Sequence, residues 1–279
     1  MTTIDATLRG AVAGAGNDLT LTLDPAFQGL PDAAHGGSVL AVFDALAARR
    51  GARTVRGHYL RRVPLGVPLL LTSTHEADAL TCRVADHAGA VLVSGRVAAA
   101  EPADGAPADA PGRDTAPLPV SLTCFACGVE NPHGLRARLT FDARAVGGVW
   151  MPRPEFRDGD GRLATIALTT LLDEAAFWLG ALASGESGMT TELAVTLHGD
   201  PTATGAIIVG GERAATRARA GDPRYWQTRV HARDDAGRPL ATAAITFASV
   251  RGAARRLVTG LLAINPPDVV RGVFPAYCA

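Results

Sequence analysis

The residues best suited to chemistry lie in the run Phe27-Gln28-Gly29-Leu30-Pro31-Asp32-Ala33-Ala34-His35-Gly36-Gly37, which leads into an apolar segment carrying Asp44. Pro31 and the glycines mark a sharp turn, and Gly36-Gly37 lets a ligand come close to the backbone. The pattern beyond them predicts a helix over 38–50, stopped by Gly51. The first N–H groups of such a helix lack partners and point back at the turn, a site for an oxygen that gains negative charge. A loop ending on a helix N-terminus, with a carboxylate further along, can hydrolyse an acyl bond. The same residues also fit a glycine turn that enters a core helix beside an incidental histidine.

A second set of candidates sits on an apolar helix predicted near 163–183, where Asp173 and Glu174 interrupt a run containing Leu171, Leu172, Phe177 and Trp178. They read either as solvated or capped helix acids or as carboxylates with a chemical role. Burial raises a carboxyl pKa toward the range useful for proton transfer. Thr190, at the start of the next predicted strand, could hold a water or the carboxylate. Phe177 and Trp178 read as core and, secondarily, as the wall of a pocket. Cys124-x-x-Cys127 with His133 offers too few ligands for a structural zinc site, so no metal and no other cofactor is expected. Gly210-Gly211 lacks the Lys-Ser/Thr that a phosphate-cradling loop needs.

These candidates need a scaffold, and 279 residues suffice for two domains. The chain is 47% hydrophobic, as ordinary globular proteins are, and its 27 cations balance 27 anions. That balance gives no field to attract nucleic acid or an anionic membrane. Every cation is arginine, which excludes lysine Schiff-base chemistry. No run of about 18 uninterrupted apolar residues suggests a membrane span, no basic-then-apolar leader opens the chain, and four cysteines make no disulfide framework. Cytoplasm is the default compartment.

The chain repeats itself. Pro25 and Phe27 match Pro154 and Phe156 at an offset of 129, which also places His35 on Ala164 and Asp44 on Asp173. Extra residues after the helix in the second half carry Pro64 onto Pro201, and Asp86-x-x-Gly89-x-x-Leu92 onto Asp234-x-x-Gly237-x-x-Leu240. Each half reads as a strand, a loop, one long helix and several strands: 19–23, then 54–63, 69–75, 80–86 and 91–98, matched by 149–151, 190–197, 206–212, 225–234 and 240–250. The class is α+β, two antiparallel-sheet units each wrapped around a helix. The expected divisions are a first unit over 1–100, a Pro/Ala/Asp/Gly-rich linker over 101–119, a second unit over 120–250 and a tail over 251–279. In the tail, the apolar stretches 257–264 and 274–277 suggest docking onto the body or a partner.

The loop Phe27-x-Gly29-x-Pro31-x-x-x-His35-Gly36-Gly37, followed by Asp44, resembles the PaaI-like hotdog-fold acyl-CoA thioesterases. So do Cys124-x-x-Cys127-Gly128-x-x-Asn131-Pro132-x-Gly134-Leu135, Leu171-Leu172-Asp173-Glu174-Ala175 and Thr190-x-Glu192-Leu193. The likeness covers roughly 15–250. The first half lacks the cysteine segment, and the second replaces His-Gly-Gly with Ala164-Thr165-Ile166.

The resemblance implies a double hotdog, an internal pseudo-dimer able to oligomerise further, with sites at the seam. One half supplies the glycine amide and the other the carboxylate. Helix geometry agrees, since nine residues at about 100° each turn Asp44 roughly 180° from His35. One site would join His35 and Gly36 to Asp173; the other would join Asp44 to Ala164-Thr165, which lack the histidine and glycine. In the first, Asp173 is a base or nucleophile, Gly36 donates to the oxyanion and Thr190 holds the water or the carboxylate. Glu174 accompanies Asp173, His35 shapes the loop because no acid neighbours it in sequence, and Gly29, Gly37 and Phe177 contact substrate. The implied substrate is an acyl-CoA or carrier-bound acyl thioester, and Arg61 and Arg62 could meet CoA phosphates. A non-catalytic acyl-binding protein and a hotdog dehydratase or hydratase are the other readings; the last requires a His–Asp pair on loop and helix.

Overall fold

In each half a proline opens a single 3₁₀ turn, Pro25–Phe27 and Pro154–Phe156, whose phenylalanine is buried and whose exit feeds a long helix. The computed structural model describes residues 3–101, 111–112, 114–202 and 205–278. The first half runs α1 (Ile4–Gly10), β1 (Val12–Ala15), β2 (Asp18–Leu21), α2 (Gly36–Ala47), β3 (Arg53–Tyr59), β4 (Leu69–Glu76), β5 (Ala79–Ala85) and β6 (Val91–Ala99). The second opens with β7 (Ala116–Pro117), β8 (Thr140–Phe141), β9 (Ala145–Trp150), α3 (Thr165–Ser184) and β10 (Gly188–Leu197). It continues through β11 (Ile207–Glu212), β12 (Arg217–Arg219), β13 (Asp222–Asp234) and β14 (Pro239–Ser249), and closes with α4 (Ala253–Leu262) and α5 (Pro267–Val273).

The strands form one antiparallel sheet, ordered β1-β2-β4-β5-β6-β3-β10-β14-β13-β11-β9-β8-β7, with β12 beside β13. The order β2-β4-β5-β6-β3 in the first half is met in reverse by β10-β14-β13-β11-β9 in the second. The two copies therefore join edge to edge, β3 against β10 from His58↔Glu192 to Arg53↔Leu197. This pairing hides one edge of each half-sheet. Strand residues alternate across the sheet, as in β4, where Leu69, Leu71 and Ser73 are buried while Leu70 and Thr72 are exposed. The buried face packs on α2 and α3, which also cross each other. At that crossing Gly37 is obligatory, because a Cβ there would lie 2.6 Å from the backbone of Thr169 and Thr170.

The expected helix over 38–50 is shifted. His35 takes the cap position of α2, its Nδ1 3.2 Å from the Gly37 nitrogen, and the helix ends at Ala47 because Ala48 turns left-handed (φ 48°). Gly51 is therefore not its stop. The strand expected over 54–63 ends at Tyr59. Most of the linker expected at 101–119 lies outside the described residues, but Ala116–Pro117 belong to the sheet as β7. By length and composition α3 could cross a membrane, yet most of it is buried within this fold. The tail docks on the body: Ala254, Val258, Leu261, Val270, Val273 and Phe274 are buried, and Phe274 lies 6.4 Å from the Trp178 ring. Asn265 fastens the turn after α4 through both backbone groups of Val120.

Candidate active site

Asp173 lies midway along α3 in the interior, and three neighbours fix its carboxylate. Thr190, the third residue of β10, donates to Oδ1 at 2.6 Å, and the Gly37 N–H donates to Oδ2 at 3.1 Å. His35 Nδ1 stands 3.2 Å from the same Oδ2. Gly36 opens α2 and has no acceptor for its N–H among the described residues, as expected at a first helical position. A Cβ on Gly36 would meet Asp173 Oδ2 at 2.8 Å, so a side chain there would push the carboxylate aside. Tyr59, from β3, donates to the Gly36 carbonyl at 2.6 Å and fixes the turn of the loop.

All of these groups but Gly37 line a cleft of about 120 Å³ together with Gly29, Phe177, Met189, Leu257 and Leu261; Arg61 and Arg62 line it too and are exposed. Gly37 does not line it. Its amide is engaged by Asp173 and its α-carbon packs against α3.

His35 is likewise not the isolated loop residue that sequence suggested. The partners absent from its neighbourhood in sequence come from the other half: Asp173 at Nδ1 and Glu174 Oε2 at 3.6 Å from Nε2. Burial disfavours the imidazolium, but the Glu174 hydrogen bond and the charge of Asp173 outweigh it and raise the His35 pKa to about 9. Burial pushes Asp173 above the usual carboxylate range, with His35, Thr190 and Gly37 pulling the other way. For Glu174 burial is overcome by His35, Trp178 and Cys127, and its pKa falls. Burial, aided by the Asp173 charge, holds the Tyr59 phenol well above its usual range.

The pseudo-symmetric position is built differently. Asp44 is buried in a fork with Arg53, Nε to Oδ1 at 2.5 Å and Nη2 to Oδ2 at 2.8 Å, and also accepts from Thr165 Oγ1 at 2.6 Å. Arg53 Nη1 reaches on to Asp200 Oδ1 at 2.8 Å. At the offset of 137 that relates Pro64 to Pro201, Arg53 corresponds to Thr190. A hydroxyl that orients a carboxylate in one copy is thus replaced by a guanidinium that neutralises it in the other. Ala164, the equivalent of His35, makes no side-chain cap. Asp44 is accordingly held in a buried ion-pair network.

Tyr59, Met189, Leu257, Leu261 and both cysteines were not singled out by sequence as parts of this site. Cys124 and Cys127 line the same cleft, because Phe125 packs between Phe27 and Phe156 and donates its N–H to the Gln28 carbonyl. Only the resemblance of that segment could have signalled it. His133 is exposed, and the thiols instead approach His35 and Glu174.

No protein-family model and no curated protein sequence matches the chain. Solved structures do match. A putative thioesterase II from Thermobifida fusca superposes with a TM-score of 0.62 at 18% identity, covering 90% of this chain and 100% of the other. A conserved hot dog fold protein from Alicyclobacillus acidocaldarius gives 0.60 at 15%, covering 88% and 97%. The dehydratase domain of RzxB from Pseudomonas fluorescens gives 0.57 at 16%, covering 86% and 98%. The protein has the hotdog fold in its double form, an α+β antiparallel sheet around central helices.

Proposed function

We propose that the protein is a thioester hydrolase whose one working site joins the α2 loop of the first half to Asp173 and Thr190 of the second. The observation that carries this reading is the meeting, on one cleft, of a buried carboxylate, a hydroxyl aimed at it and an unpaired helix N-terminal amide. Asp173 takes a proton from water as the water attacks the thioester carbon, or attacks that carbon itself. The Gly36 N–H, strengthened by the positive end of α2, stabilises the developing oxyanion. Thr190 holds the carboxylate in one orientation. His35 positions the loop: its ring nitrogens face Asp173 and Glu174, and it caps α2. Phe177, Met189, Leu257 and Leu261 receive an acyl chain, and Arg61 and Arg62 receive the phosphates of a CoA thioester.

The His35–Asp173 pair at 3.2 Å favours a second reading, hydration or dehydration of an acyl thioester, and a dehydratase is among the structural likenesses. Against it, neither His35 nitrogen is left open to take a proton from substrate. One experiment separates the readings: acyl-CoAs of increasing length and a 3-hydroxyacyl-CoA are incubated with the protein. Thiol release that Asp173→Asn abolishes supports hydrolysis. Enoyl-thioester formation without thiol release transfers the site to the second reading.

A further inference from the structure

We propose that Cys124, Cys127, Glu174 and His35 form a tetrahedral site for one zinc ion in the wall of the cleft, built from both halves of the chain. Ligand atoms of His35, Cys124 and Glu174, all buried, lie within 4.8 Å of one another. Cys127 lies outside that group but next to Cys124 and Glu174, and it is taken as the fourth donor, giving two sulfurs, one nitrogen and one oxygen. Zn–S bonds of about 2.3 Å and Zn–N or Zn–O bonds of about 2.0–2.1 Å imply tetrahedral edges of roughly 3.3–3.8 Å. His35 Nε2 and Glu174 Oε2 stand 3.6 Å apart, within that span.

The backbone around the thiols is shaped for sulfur that carries charge. The Ala126 N–H points at Cys124 Sγ at 3.3 Å, and the Gly128 N–H closes the turn on the Cys124 carbonyl at 2.8 Å. A Cβ on Gly128 would lie 2.3 Å from that carbonyl, so the turn admits only glycine there. The outer partners orient the other two donors. Trp178 Nε1 holds Glu174 Oε1 at 2.9 Å and leaves Oε2 toward His35, while Nδ1 of His35 faces Asp173. A carboxylate behind a ligating imidazole is the usual support for a metal-bound histidine. Thiolate and imidazole donors select zinc over magnesium or calcium.

Four protein donors close the coordination sphere, so the ion holds structure and does not activate water. It ties the α2 loop of the first half to the cysteine turn and α3 of the second, and fixes the His35 ring beside Asp173. The inference does not rest on hydrolysis, since the donors are the same whatever reaction the cleft performs. The expectation of no metal came from too few ligands, since Cys124, Cys127 and His133 fall short of four; His133 is exposed, and the fold puts His35 and Glu174 where sequence showed no ligand.

The full chain, reduced with a phosphine and stripped with a chelator, is titrated with Co²⁺. The expected result is the visible bands of tetrahedral cobalt with thiolate-to-metal absorption, saturating at about one ion per chain and erased by Zn²⁺. Cys127→Ser and Glu174→Gln should each weaken binding at least tenfold, and His133→Ala should change nothing. Wild-type protein without tetrahedral bands, or bands that survive a Cys124→Ser/Cys127→Ser double variant, overturns the site. Should that variant fail to fold, thiol modification of the wild type decides. Zn²⁺ must slow modification at Cys124 and Cys127; equal rates with and without the ion reject the proposal.

Discussion

Asp173 and Asp44 occupy equivalent places on the two long helices, and what each touches separates their roles. Asp173 is held by Thr190, the Gly37 amide and His35, whereas a guanidinium forks the carboxylate of Asp44. Asp173→Asn should therefore lower turnover by about 10² or more without unfolding the protein, measured as thiol release. Gly36→Ala should lose activity comparably, because its methyl displaces the carboxylate. Asp44→Asn should leave most of the activity but cost about 3–5 kcal/mol in denaturant unfolding, because Arg53 would be left buried without its principal partner. If Asp44→Asn instead abolishes turnover at unchanged stability, the roles are reversed. Sequence displayed both acids and the lost histidine, yet it could not show Arg53 in the place of Thr190. The inserted residues shift the repeat from an offset of 129 to 137 between helix and strand, which hides that match. Nor could it give His35 its partners, since both belong to the other half.

At the scale of elements, the repeat made most of the architecture legible: alternation marked the strands and the apolar runs marked α2 and α3. The ends of α2 were not legible, because its start depends on the His35 cap and its stop on an alanine forced left-handed. The tail lies outside the repeat, so its apolar residues predicted docking but not a location. In the structure α4 lays Leu257 and Leu261 against the cleft and so closes its apolar side. Leu257→Ala should accordingly shift kcat/KM toward longer acyl chains with a small stability loss. Leu261 is fully buried, and Leu261→Ala should cost about 2–5 kcal/mol besides. An unchanged chain-length profile in Leu257→Ala would place the acyl group elsewhere.

On the proposed reading, one complete site lies at a seam that a homodimer would duplicate. The two equivalent positions differ: one has loop, amide and carboxylate together, while the other carries a buried Asp44–Arg53–Asp200 network that ties the halves together. Neither half alone holds both the α2 amide and Asp173. Each alone would also expose the β3 or β10 edge and the helix face that meets its partner. Expressed separately, residues 1–110 and 111–279 should each be inactive and prone to self-association. Mixed during refolding, they should regain part of the activity, because pairing β3 with β10 and packing α2 on α3 rebuild the cleft. Thiol release and light scattering on the halves and on the mixture test this. Activity in the second half alone, near that of the whole chain, would mean that Asp173 needs nothing from the His35 loop, and the composite site would be abandoned.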